Sequence, residues 1–390
     1  MASQKEKRSI GWMGLSRGHK ARPLEWIVEK MIFLISLSAI LMVFLIFVFV
    51  TREAMPIFLG KADSSLVQQI IPASEMDKMP PEKLQEYLGL TPEEFKSKDR
   101  ETLQLLMEVR EEGAKEATDD RDAKVNTVSP RYIFKPYQWT GYDQPVYIWQ
   151  PVSQIKKFNI IPLIVGSLKV TLVALLFSVP LALGAAIYVS QLAPPRLKEI
   201  VKPCIELLSG IPSVVLGFFA LIVMASFLQG TFHYQSRLNA FNAGIALGLA
   251  IIPVVFSIAE DALTSVPRSY MQAALAVGST KWQAAWKVIL PAALPGVFAA
   301  VVLGFGRAVG ETMIVLMASG NASIMSWNIF DSTRSITATI AAELAETVFG
   351  GPHYRMLFVI GVLLFIVTFI SNLVGELIMH RVKGRLEGKR

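Results

Sequence analysis

Met31 to Val50 is a run of twenty residues without a charged side chain, about the length a helix needs to cross a hydrocarbon core roughly 30 Å thick. A backbone can enter such a core only if its own hydrogen bonds are closed, so this run commits the chain to a spanning helix. Mostly polar residues precede it and Thr51-Arg52-Glu53 follow it. It therefore reads as a retained anchor, because a secretory signal has a shorter apolar stretch and a small-residue cleavage site. Five further apolar stretches centre on 162–192, 205–228, 240–258, 289–318 and 356–378. The expected fold class is an all-α polytopic membrane protein with six transmembrane helices and an extramembrane insertion after the first. Pro180, Gly184, Gly304, Gly306 and Gly310 interrupt the two longest stretches and predict tilted or kinked helices.

The distribution of charge predicts orientation. With the N-terminus in the cytoplasm, the segments on that side (1–30, 193–203, 259–288 and the tail from 380) hold eighteen lysines and arginines. The opposite short loops, 229–239 and 319–355, hold three, as the positive-inside rule requires. The formal charge of +7 therefore marks cytoplasmic loops and calls for no nucleic acid. Cys204 is the one cysteine, so no internal disulfide forms, and the four histidines lie too far apart in sequence to suggest a metal site. No phosphate-binding loop, HExxH or Gly-x-Ser-x-Gly motif occurs. The chain is thus expected to have no catalytic residue, metal or cofactor of its own; any energy it uses comes from elsewhere.

The expected organisation is a cytoplasmic tail (1–30), a first helix (31–51), an external insertion (52–159), a membrane core (160–380) with a cytoplasmic loop at 259–288, and a cytoplasmic tail (381–390). The insertion carries eighteen acids against fifteen bases. Pro80-Pro81 and Thr91-Pro92 read as helix starts, Thr91 as an N-cap, with a helical stripe from Leu103 to about Gly113. The run from Val128 to Pro151, with its aromatics from Tyr132 to Trp149, reads as an extended or β-rich piece near the headgroups, either a docking surface or a spacer with interfacial aromatics.

Two segments carry functional content. In the loop at 259–288, small residues Ala273 and Ala274, a helix stop at Gly278, then Trp282 and Trp286, form a helix shaped to wedge into a groove on a partner. In the fifth apolar stretch, Arg307 and Glu311 are four residues apart and project from one helical face, to pair or to flank a polar cavity. A charge inside the bilayer costs at least about 2.5–3.5 kcal/mol and faces an interior pathway. A guanidinium there suits a tetrahedral oxyanion, two of whose oxygens its planar fork can hold. Ser209, Ser213 and Thr312 are candidate hydroxyl donors, although hydroxyls inside helices commonly bond their own backbone. Lys169 is expected to snorkel outward, and Gly244-x-x-x-Gly248 marks a helix contact.

Gln272-Ala273-Ala274, Gly278, Val288 and Leu290-Pro291 resemble the E-A-A-x3-G-x9-I-x-L-P loop of ABC importer permeases, with glutamine in place of the usual glutamate. Gly306-Arg-Ala-Val-Gly-Glu-Thr-Met313 and Glu206-Leu-Leu-Ser-Gly-Ile-Pro-Ser-Val-Val-Leu-Gly217 are similar to the phosphate-specific permeases of the PstC type, within the MetI-like group. Over about residues 160–380 this resemblance implies an inner-membrane subunit of an importer of inorganic phosphate. The implied partners are a PstA-like sister permease, a PstB-like ATPase dimer that holds ATP and magnesium, an external phosphate-binding protein and membrane lipid. It implies a substrate pathway of Arg307, Glu311, Thr312 and Ser213, and ATPase coupling through Gln272, Ala273, Ala274, Gly278, Trp282 and Pro291. Another oxyanion (molybdate, sulfate or a phosphonate) satisfies the same charge logic, and a phosphate-sensing membrane subunit is a reading of a different class.

Overall fold

A computed structural model describes residues 23–60, 62, 64, 80–88, 92–118, 121–153 and 155–386. Contacts divide the chain into two units, 1–52 and 53–390. The first unit holds most of α1 (Pro23–Phe58), whose apolar window is wholly unburied. The helix outruns the expected 31–51 at both ends because the flanking Pro23–Lys30 and Arg52–Phe58 also favour helix.

In the second unit the insertion begins with three short helices, α2 (Pro81–Leu88), α3 (Pro92–Ser97) and α4 (Arg100–Thr118). Pro81 and Pro92 sit at the first helical position, as expected; Thr91, the proposed cap, lies outside the described residues. Next come α5 (Pro130–Phe134) and an antiparallel pair of short strands, β1 (Trp149–Gln150) and β2 (Lys157–Phe158). The aromatic run is a folded core and not a row of headgroup anchors: Trp139 and Trp149 are 5% and 2% exposed, and Tyr132, Tyr137 and Trp139 meet edge to face. Asp122 is buried and accepts from the Thr140 amide at 2.6 Å and the Tyr137 hydroxyl at 3.3 Å.

The membrane core follows. α6 (Ile161–Ile187) carries Pro180 inside it and ends in a π turn, 188–192. α7 (Pro195–Ser209) is amphipathic and separate from the third span, which starts at Ser213 rather than near 205. Glu199, Lys202 and Glu206 suit α7 to a polar boundary, and Pro212, which has no amide hydrogen to donate, stops one helix and starts the next. The third span runs through α8 (Ser213–Phe219), a π turn and α9 (Ala225–Phe232). α10 (Ala240–Thr264) is the fourth. After α11 (Arg268–Ala276), α12 (Lys281–Ala284) and a π turn lead into α13 (Leu290–Gly310). α14 (Met313–Ala318), α15 (Ile336–Glu343) and α16 (Pro352–Leu386) complete the chain. Six helices among the described residues are long and apolar enough to span.

α10 is the centre of this unit. Ala243, Leu247, Ile251, Val255, Ala259 and Leu263 recur every four residues along it and are all 0% exposed, a stripe that only close packing on both sides can bury. Lipid gives apolar side chains no reason to seek one another, so contact depends on small residues that let backbones approach. A methyl added at Gly244 would meet Val173 of α6 at 2.5 Å, one at Gly248 would meet Phe177 at 2.7 Å, and one at Gly304 of α13 would meet Val255 at 2.6 Å. α16 packs on α13, with Gly375 against Val302. Gly244→Val is expected to cost about 1–3 kcal/mol by overpacking and to lower the thermal midpoint of the detergent-purified complex. Gly184→Ala, with nothing within 4 Å, is the control expected to leave it unchanged.

Candidate functional site

The helix that carries Arg307 does not continue through Glu311. α13 stops at Gly310, and Glu311 is extended, with φ −70° and ψ 133°. Its side-chain Oε1 accepts from the Thr312 amide at 3.1 Å, satisfying a backbone donor at the start of α14, and its carbonyl accepts the Thr337 hydroxyl at 2.8 Å. The expectation that Arg307 and Glu311 share a helical face is therefore corrected: the break lies between them, and no ion pair joins them. Arg307 is exposed and makes no hydrogen bond or ion pair with the described residues. A guanidinium on an apolar span is thus left with all five donors free.

Thr312 bonds back to the Gly310 carbonyl at 3.4 Å, and Ser209 to the Glu206 carbonyl at 2.6 Å, so both hydroxyls are engaged with their own backbone. Ser213 is the first residue of α8 and has no hydrogen bond with the described residues. One turn on, Gly217 lies against α14, where a methyl would be 3.0 Å from Met317 Sδ and 3.1 Å from the Met313 carbonyl. α8 and α14 both lead away from the end of the bundle that holds α11, so Ser213 and Thr312 sit at the same end of this contact. Two helix breaks, Gly210-Ile211-Pro212 and Glu311-Thr312, are thereby brought onto neighbouring segments.

The α11 segment has the expected form. Gly278 takes φ +88°, a left-handed value open to glycine, and Thr280 with Gln283 closes a capping box, 3.2 and 3.0 Å. Gln272, Ala273 and Gly278 are exposed, and Ala274 is half-buried. Trp282 and Trp286 meet edge to face at 5.7 Å, both exposed, and Pro291 occupies the first turn of α13.

Three charged clusters were not identified from sequence. Near the same end, Glu260 of α10 has a side chain 1% exposed and receives Lys198 at 3.0 Å and Lys202 at 2.6 Å from α7, with Thr264 at 2.9 Å. The Glu260 hydrogen bond raises the Lys202 pKa above the ordinary lysine value, against the opposing effect of burial. At the opposite end Glu343 accepts Trp149 Nε1 at 3.0 Å, Arg334 Nη1, and His353 Nε2 at 2.9 Å, tying the strand pair of the insertion to α15 and α16. Lys169 does not snorkel: it is 4% exposed and donates to the Asn328 carbonyl at 3.1 Å, because the loop at 326–331 folds over it. Sequence spacing held no signal for these sets, whose members lie up to 194 residues apart. Among the described residues no group of His, Cys, Asp and Glu is arranged to hold a metal.

Six candidate spans among the described residues, five of them in the second unit, with a short exposed helix between two of these and an arginine on another that has no partner among the described residues, are the features of a polytopic membrane protein with an internal polar path. The sequence profile described as "Binding-protein-dependent transport system inner membrane component" matches residues 178–386, more than half of the chain; the protein belongs to that family, the MetI-like permease subunits of ABC transporters, and is a multi-pass inner-membrane protein. Similar relatives include the "Probable ABC transporter permease protein YqgH" of Bacillus subtilis, 36% identical over 60% of this chain and 76% of that one. Another is the "Phosphate transport system permease protein PstC" of Mesorhizobium japonicum, 34% identical over 61% and 77%. Among solved structures, an inward-facing MetNI methionine ABC transporter is similar at a TM-score of 0.45 and 20% identity, over 57% of this chain and 96% of that one.

Glu260→Gln is expected to destabilise the fold by about 2–4 kcal/mol, since it leaves two lysines facing a neutral amide, with the lysines' partial exposure moderating the loss. Thermal unfolding in detergent reads it. The Lys202 contribution has a definite sign: a raised folded pKa adds stability present below about pH 10.4 and lost as pH rises through the raised value. The Glu260→Gln loss is therefore expected to shrink as the pH rises through the raised Lys202 value.

Proposed function

We propose that the chain is the PstC-like permease subunit of an ATP-driven importer of inorganic phosphate and forms half of the translocation pathway with a PstA-like sister permease. The observation that carries this reading is Arg307, an exposed guanidinium without an internal partner on an otherwise apolar span. Holding such a charge in lipid costs several kcal/mol, so its face belongs to a polar pathway, and a fork of free N–H donors suits a phosphate oxyanion. Relatives with printed names in phosphate transport support the substrate. In this reading Arg307 compensates the anion's charge and the unengaged Ser213 hydroxyl donates to it. Glu311 and Thr312 shape the break that opens the helix beside the arginine, a role different from the pairing first expected for Glu311.

Coupling follows from the other end. The exposed helix from Arg268 to Ala276, its glycine stop and the Trp282–Trp286 pair present a rigid wedge to a PstB-like ATPase dimer, where ATP and magnesium are bound and hydrolysed. Gln272, Ala273 and Ala274 lie on that wedge, Gly278 ends it and Pro291 starts the helix it drives. The eighteen-to-three distribution of basic residues supports both termini and α11 in the cytoplasm, with 52–159 outside, where a phosphate-binding protein delivers its load.

In cells that depend on this transporter, Arg307→Gln at unchanged membrane abundance is expected to abolish labelled-phosphate uptake, while Arg307→Lys, a charge without the planar fork, retains a fraction. Normal uptake by Arg307→Gln contradicts the assignment.

A further inference from the structure

Thr368, Asn372, Glu376 and His380 recur every four residues on α16 and form a polar stripe on an apolar span. Thr368 is satisfied by its own backbone, at 3.0 Å from the Leu364 carbonyl, and His380 lies 3.9 Å from Glu376. Asn372 is different: it is exposed and has no hydrogen bond with the described residues.

Its position relative to Arg307 is fixed by two contacts across the α13–α16 seam. A methyl at Gly306 would lie 3.6 Å from Asn372 Oδ1, and one at Gly375 would lie 2.5 Å from Val302 Cγ1. These set the depth and rotation of both helices. At about 100° per residue in two antiparallel helices, Arg307 and Asn372 turn to the same side of the seam and at nearly the same level. Leu303 and Glu376 share that side and are exposed with them. The opposite flank of α13, with Gly304 and Ala308, is the one buried against α10. An unpaired amide facing hydrocarbon is costly, and one beside an unpaired guanidinium is more costly still; a shared polar space explains both.

Building on the phosphate-permease reading, we propose that Asn372 is a second substrate-contacting residue and that it reads the protonated edge of the anion. A carboxamide offers both an N–H donor and a C=O acceptor. Phosphate at neutral pH carries at least one P–OH, which needs an acceptor, whereas sulfate carries none. Arg307 takes the charge and can only donate; Asn372 supplies the acceptor that Arg307 lacks.

The test uses the assembled complex. Asn372→Leu, of similar size and without polar atoms, is expected to lower phosphate uptake about tenfold at equal membrane abundance, and Asn372→Gln to retain more than Asn372→Leu. Asn372→Cys in a Cys204→Ser background is expected to react with a small, charged, membrane-impermeant methanethiosulfonate, more slowly when phosphate is present. Wild-type uptake by Asn372→Leu, no advantage of glutamine over leucine, a cysteine that does not react, or one whose reaction phosphate does not slow, overturns the proposal. The underlying reading fails separately, if the unaltered complex takes up no phosphate. If that complex transports, Arg307→Gln does not and Asn372→Leu does, the role of Asn372 alone falls.

Discussion

A hydrocarbon layer offers no hydrogen bonds, so every polar group placed in it needs a partner from the protein, from the cargo or from a second chain. This constraint organises the molecule. It forces the backbone into helices and leaves small residues as the means of bringing those helices together, visible in Gly244, Gly248 and Gly304 closing on Val173, Phe177 and Val255. The same constraint sorts the charges. Glu260 is enclosed by Lys198 and Lys202, Lys169 by a carbonyl, and Glu343 by Arg334, Trp149 and His353. Each of these is satisfied within the chain and is structural. Arg307 is not satisfied, and that contrast separates it from the others.

The three satisfied clusters have a common effect. Glu260 clamps α7 to the end of α10, a few residues before α11 begins. Glu343 fastens the strand pair of the insertion to α15 and α16, and Lys169 fixes the loop at 326–331 over α6. They anchor polar segments at both ends of the bundle. The break at Glu311-Thr312 separates α13 from α14, and Gly210-Ile211-Pro212 separates α7 from the third span. A permease whose coupling helix lies at one end and whose cargo enters at the other needs ends that move as bodies and a middle that can give.

Much of this was legible in the sequence, for definite reasons. Charge-free runs reveal spans because the length of a helix is tied to bilayer thickness, and the wedge at 268–278 was readable because a glycine stop and a following proline are local signals. Local reading failed where a residue's fate depends on distant partners. Lys169 looked like a snorkelling lysine until the loop at 326–331 covered it. Trp139 and Trp149 looked interfacial, but Trp139 packs against Tyr137 and under Lys157 of β2, and Trp149 against Phe158 and Glu343 of α15. The Arg307–Glu311 spacing assumed an unbroken helix; the side chain of Glu311 instead takes a backbone amide just beyond Gly310, a competition that spacing alone does not show. The third span was placed too early because α7 is apolar on one face and merges with α8 in a hydropathy reading.

In the proposed cycle a phosphate ion is carried past Arg307 at the expense of ATP bound by another chain. Reconstituting the complete complex in liposomes, with ATP on the α11 side and the loaded binding protein on the opposite side, measures this most directly. The expected result is accumulation of labelled phosphate against its gradient, dependent on ATP hydrolysis and undiminished by excess sulfate. Accumulation without ATP, or transport of sulfate in place of phosphate, would contradict it.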